Sequence, residues 1–181
     1  LKELSLHVLD IVQNSLVAKA TKINISVTVN QELDLLSIEV VDNGKGMEPE
    51  MLARVTDPYT TSRTTRKVGL GIPLLQDACL ATGGALKINS LPNEGTTLKA
   101  TLGYSHIDRQ PLGDMAGVIA LLVTANPLID FVYTHSLNGN MFIFDTQEVK
   151  EVLDGIPLSS PEVFKLLKEM VSLNLDELQI T

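Results

Sequence analysis

The chain of 181 residues has one cysteine, Cys79, so no intrachain disulfide can form. Cys79 sits in an apolar helical pattern and reads as a small buried hydrophobe. There is no long hydrophobic run. The longest apolar stretch, Met115 to Thr124, falls well short of the ~20 residues a membrane helix needs. Positive charge is scarce, with 14 Lys and Arg against 22 Asp and Glu for a net charge of −8. That balance argues against a broad nucleic-acid-binding face and against attraction to anionic membranes. No secretory leader pattern, internal repeat or low-complexity segment is visible, and a cytoplasmic protein is expected. The chain opens on Leu1 rather than Met, which leaves open a preceding segment.

Apolar content of 44% and charged content of 20% are ordinary for a globular chain of this length. Residues 3–20 carry helical periodicity, with Leu4, Leu6, Val8, Leu9, Val12, Leu16 and Val17 on one broad face. Residues 22–29 and 35–41 alternate as strands around a Gln31–Glu32 connection. A short helix opens near Pro49, and a polar loop rich in Thr and Arg runs through 57–71. A helix over about 72–82 follows, with Pro73 in its first turn and Gly83–Gly84 ending it. Two strands, 85–91 and 96–102, flank a turn at 92–95. Beyond Tyr104 the spacing predicts a helix at 114–125, a hairpin turning at Asn138-Gly139, and helices at 146–153 and 160–171. The fold class is therefore α+β, with a first unit at 1–104 and a C-terminal α-β-β-α-α extension at 105–181. Phe131, Tyr133, Phe142 and Phe144 alternate on the hairpin, as core packing or as an edge added to the sheet.

Four stretches bear on function. Asp10 and Asn14 lie four residues apart on one helix face, where they form either a polar edge or a carboxylate–carboxamide pair for a metal and a water. The stretch Val40-Val41-Asp42-Asn43-Gly44-Lys45-Gly46-Met47 has turn chemistry. It also ends a strand in an acceptor-only carboxylate followed by glycines that admit a ligand close to backbone. Gly69-Leu70-Gly71-Ile72 opens a helix, where free N–H groups favour phosphate, just after Arg63, Arg66 and Lys67. Gly95-Thr96-Thr97 opens a strand with hydroxyls that could reach a ligand through water.

In this order and spacing the four stretches resemble the ATP-binding domain of the GHKL superfamily, which joins DNA gyrase B, heat-shock chaperones, histidine kinases and mismatch-repair ATPases. The resemblance covers about residues 3–104. DIVQNS is similar to the N box, VVDNGKGM to the first glycine box, DPYTT to the kinase F box, KVGLGIPLL to the second glycine box, and LPNEGTTLKATL to the final Gly-Thr-Thr strand. It implies a two-layer α/β sandwich of the Bergerat type with a mixed sheet. It also implies ATP and Mg²⁺ as ligands. Asp42 would read adenine, Asn14 would hold Mg²⁺, and Asp10 would occupy the general-base position. Gly44, Gly46, Met47, Thr60, Thr61, Lys67, Gly69, Leu70, Gly71, Ile72 and Thr96 complete the implied nucleotide site, with 59–68 as a short lid.

Two departures stand out. ATP-hydrolysing members usually carry Glu where this chain has Asp10, one methylene shorter. Histidine kinases often carry a basic residue where this chain has Val17. No phosphoacceptor hairpin lies within residues 1–181, and His7 reads as a packed helix residue. The expectation is an ATP-binding regulatory or signalling protein, either a protein kinase on a separate acceptor or a non-catalytic switch gated by ATP or ADP. A protein partner at the C-terminal region and a homodimer are expected.

Overall fold

A computed structural model describes residues 2–57 and 71–180. Six strands form one mixed sheet: β1 (Lys22–Asn30), β2 (Leu35–Asp42), β3 (Ala85–Leu91), β4 (Gly95–Gly103), β5 (Asp130–Leu137) and β6 (Asn140–Asp145). Their order across the sheet is β3-β4-β2-β1-β5-β6, and every neighbouring pair is antiparallel except β1 with β5. Six helices complete the described residues: α1 (Leu4–Val17), α2 (Pro49–Thr56), α3 (Gly71–Leu80), α4 (Met115–Ala125), α5 (Thr146–Leu153) and α6 (Pro161–Ile180). The class is α+β, as the sequence pattern predicts.

Strand parity sets the two layers. Ile23, Ile25, Val27 and Val29 of β1 face the same side as Leu36, Ile38 and Val40 of β2 and Leu98, Ala100 and Leu102 of β4, and all are buried. Phe131 and Tyr133 of β5 and Phe144 of β6 continue that face. The hairpin aromatics are therefore core, and their strands also lengthen the sheet. Each such side chain contributes about 1.5–3 kcal/mol on burial. The opposite face is largely polar, with Ser26, Thr28, Ser37, Glu39, Thr97 and Lys99.

The helices cover the apolar face. α4 is buried almost all round, through Met115, Val118, Ile119, Leu122 and Val123, because it lies between α1 and α6. α1 begins at Glu3 without a side-chain cap. Its first N–H groups, of Leu4 and Ser5, donate instead to the carbonyls of Pro111 and Leu112, each at 2.9 Å. His7 is buried and hydrogen-bonds Gln110 Oε1 at 2.9 Å. Cys79 is fully buried, which pushes its thiol pKa up to about 11. Among the described residues no helix is long and apolar enough to cross a membrane.

One expectation is corrected. The last helix runs to Ile180 rather than to about 171. Val163, Leu167, Val171 and Leu178 are buried at helical spacing, with Leu175 packed beside them, so the apolar stripe sustains two further turns. Ser160 precedes this helix, but its carbonyl rather than its hydroxyl accepts the N–H groups of Val163 and Phe164.

Inside the core, Tyr133 Oη and His135 Nδ1 share a 2.7 Å hydrogen bond, with the rings edge to face. Burial lowers the His135 pKa from its ordinary 6.5 to about 4. In the unfolded chain His135 takes a proton near 6.5, while the folded chain keeps it neutral. Its contribution is complete above that value and is lost as the pH falls through about 4. The melting temperature should therefore fall more steeply between pH 6.5 and 4 in the wild type than in a Tyr133→Phe/His135→Leu variant, which removes both polar partners. Parallel slopes in scanning calorimetry would show that another group governs the acid limb.

Candidate functional site

The polar end of the core face forms the site. In β2 the inward positions run Leu36, Ile38, Val40 and then Asp42, so the strand's parity carries a carboxylate into the core layer. Asp42 is only 9% exposed. A buried carboxylate is costly unless its oxygens are satisfied. Ser15 Oγ, on α1, donates to Asp42 Oδ2 at 2.6 Å, and the Gly44 N–H donates to Oδ1 at 2.8 Å. The second bond is the turn that Asp-Asn-Gly chemistry predicts. Turn and candidate ligand-reading group are therefore the same carboxylate.

Neighbouring contacts fix this strand end. Asn43 Oδ1 accepts the N–H groups of Thr21 and Lys22 at 2.8 and 3.0 Å, and its amide donates to Thr21 Oγ1 at 2.8 Å. The Lys45 N–H donates to the Ala18 carbonyl at 2.8 Å, and the Lys45 carbonyl accepts from the Asn93 N–H at 2.7 Å. Gly46 has φ +67°, and a Cβ there would fall 1.9 Å from the Leu91 carbonyl oxygen, so backbone meets backbone. The Met47 N–H donates to Ser90 Oγ at 2.8 Å.

Thr96 of β4 is the cross-strand partner of Asp42, and its hydroxyl lies 2.8 Å from Ser90 Oγ. Asp42 and Thr96 border a pocket of about 310 Å³ between the sheet and α1. That volume lies at the small end of the ~300–1,000 Å³ typical of ligand pockets. Ile11, Val40, Met51, Ile72, Ile88 and Leu98 give it apolar walls. Asp42 and Lys45 are the charged side chains lining it.

Of the residues the sequence nominates, Asn14, Asp42, Gly46, Met47, Ile72 and Thr96 line this one pocket. Gly44 holds Asp42 through its N–H. Asp10 lies one turn from Asn14, but it is not part of the pocket wall. It stands against the start of α3, where a Cβ on Gly71 would come 2.9 Å from the Asp10 Cβ. That close approach requires glycine at 71. Thr60, Thr61, Lys67, Gly69 and Leu70, with the rest of the expected lid, lie outside the described residues.

Two residues of the site escape a motif reading, Ser15 and Ser90. Both leave a signal in the sequence. Ser15 follows Val8, Ile11 and Val12 at helical spacing on the buried face of α1, where its hydroxyl needs a partner. Ser90 takes the inward parity that Leu86 and Ile88 occupy before it.

Residues 2–106 match the family of histidine kinase-, DNA gyrase B-, and HSP90-like ATPases. The chain is 36% identical over 105 residues to the sensor protein kinase FleS of Pseudomonas aeruginosa, covering 58% of this chain and 25% of that one. It is 36% identical over 96 residues to the non-motile and phage-resistance protein of Caulobacter vibrioides, covering 47% of this chain and 11% of that one. The chain thus spans a quarter or less of the length of these relatives. The MutL ATPase domain of Aquifex aeolicus, solved with ADP, shares the fold with a TM-score of 0.52 and 18% identity, over 84% of this chain and 69% of that one. With the family matched over more than half its length, the chain belongs to the histidine kinase-, DNA gyrase B-, and HSP90-like ATPases, a family of ATP-binding domains.

Proposed function

We propose that the chain is a regulatory module that binds Mg-ATP and serves cytoplasmic signalling. The buried Asp42 carboxylate carries this reading. A carboxylate offers about four acceptor positions. Ser15 and Gly44 each engage one oxygen, which leaves acceptor capacity for a donor on a ligand. An exocyclic amine, as on adenine, is such a donor, and the apolar walls suit a planar base. Asn14 lines the same pocket and would hold Mg²⁺ through its carboxamide oxygen, with phosphate oxygens completing the shell. Among the described residues no cluster of three or more His, Cys, Asp or Glu could bind a metal alone.

The sensor protein kinase among the relatives supports a reading of phosphoryl transfer, which we place on a separate acceptor. A second reading, a switch that binds ATP or ADP without turnover, is favoured by Asp10. Its side chain is one methylene shorter than the glutamate that hydrolysing members usually carry there. In either reading the region 105–181 is the proposed place where a protein partner senses the nucleotide.

Asp42→Asn keeps the size of the side chain but can turn an amide donor toward a donor on the base. It should weaken ATP by about 1–3 kcal/mol, roughly 5- to 150-fold, measured by calorimetric titration. Ser15→Ala should cost about 0.5–1.5 kcal/mol of ATP binding, because Asp42 loses an anchor but stays charged. Unchanged affinity in Asp42→Asn would sink the assignment of adenine to this carboxylate.

Incubation with γ-labelled ATP and Mg²⁺ tests turnover. The expected result is slow release of phosphate or labelling of protein that Asp10→Asn abolishes while ATP still binds. ATP bound with neither product in the wild type selects the switch.

A further inference from the structure

The sheet has two edges, and they are built differently. The β3 edge carries exposed Lys87 and Asn89 and is followed by Pro92. Charges and proline on an edge discourage the addition of a further strand. The β6 edge has no lysine and no proline, and its one charge is the terminal Asp145. From Ser136 to Phe144 the chain carries no charged residue and no proline.

The hairpin geometry tells which β6 groups face outward. Asn138 and Gly139 have φ of 51° and 88°, the signature of a two-residue type I′ turn. Leu137 and Asn140 flank it as a hydrogen-bonded pair, and the antiparallel ladder then alternates. His135–Phe142 and Tyr133–Phe144 bond across the hairpin. Met141 and Ile143 therefore turn their N–H and C=O groups to the free edge. No backbone bond from these two residues to anything outside β5 occurs among the described residues. The same two side chains are exposed, at 58% and 57%, on the otherwise largely polar outer face of the sheet.

We infer that β6 is the seam of a homodimer, in which β6 of a second copy adds antiparallel to form a twelve-stranded sheet. Self-complementarity selects a second copy as the occupant. A two-fold axis through Phe142 sets Met141 opposite Ile143 of the second copy, and Ile143 opposite its Met141. These are the residues with outward-facing backbone groups, so each pair exchanges two hydrogen bonds and stacks two apolar side chains. The same register sets Asp145, the only charge on β6, opposite the turn residue Gly139, so no acid meets its own copy. Apart from Asp145 the strand carries no charge that would read a foreign sequence. Asp42 and Thr96 lie on β2 and β4, separated from the seam by β1 and β5, so dimerisation leaves the nucleotide pocket open.

Sedimentation equilibrium of the intact chain tests this, at about 150 mM salt so that the net charge is screened to a Debye length of about 8 Å. The wild type should pass from monomer to dimer with rising concentration. Ile143→Lys and Met141→Lys should be monomeric where the wild type is dimeric, with unchanged ATP affinity and with the wild-type melting temperature at concentrations where the wild type is itself monomeric. Leu173→Lys, which alters an exposed leucine of α6, should leave the dimer intact. A wild type that stays monomeric throughout, or a dimer that survives Ile143→Lys, overturns the inference. Neither outcome bears on whether ATP binds at Asp42.

Discussion

A carboxylate held in the core layer organises this molecule. Removing Asp42 from water would cost several kcal/mol if its oxygens were left bare. Each is instead met by one donor, and each donor comes from a different part of the chain. Ser15 requires α1 to lie over the end of β2. The Gly44 N–H requires the strand to break into a turn directly after Asp42. That turn is in turn held by Asn43 against the α1–β1 connection and by Lys45 against Ala18 and Asn93. The strand end is a fixed fixture before any ligand arrives, so ordering it costs nothing at the moment of binding.

Local patterns made the carboxylate and its strand readable. Leu36, Ile38, Val40 and Asp42 share one parity, and Asp10 and Asn14 share one helical face, because both periodicities are properties of short segments. What the sequence left unread was non-local. The donor to Asp42 lies 27 residues upstream, and the partner of His7 lies 103 residues downstream. Nothing near Glu3 signals that α1 is capped by Pro111 and Leu112. The parallel pairing of β1 with β5 joins segments more than a hundred residues apart, and no local periodicity encodes it. The end of α6 is hidden in the sequence for another reason. Its buried positions after Val171 thin to Leu175 and Leu178 among polar neighbours, so the stripe narrows before the helix ends.

The hydrogen-bonding rows of the sheet give the C-terminal region a share in the site. One row runs straight through it. Ser90 pairs with Thr96, Thr96 with Asp42, Asp42 with Ile23, and Ile23 with Phe131. The row ends where the Phe131 N–H donates to Thr146 Oγ1 at 3.0 Å, at the start of α5. Three of these five residues border the candidate pocket or hydrogen-bond its lining, and the fifth belongs to the C-terminal hairpin. The core is continuous across residue 104. β1 is hydrogen-bonded on one side to the strand that carries Asp42 and on the other to β5, and α1 packs against both α3 and α4.

That continuity limits how nucleotide binding could be felt elsewhere. A hinge between 1–104 and 105–181 would have to break the β1–β5 ladder and uncover Ile23, Ile25 and Val27. Exposing three such side chains would cost about 4.5–9 kcal/mol, comparable with the whole stability of a small domain. Rigid separation is therefore closed to the molecule as a signal. A small shift of α1 is not, because Ser15 and Asn14 lie near one end of that helix while the Pro111 and Leu112 carbonyls hold the other. Displacing α1 by a fraction of its rise would be felt at both ends without opening the core. The helix that anchors Asp42 near one end is thus held at its other end by the C-terminal region.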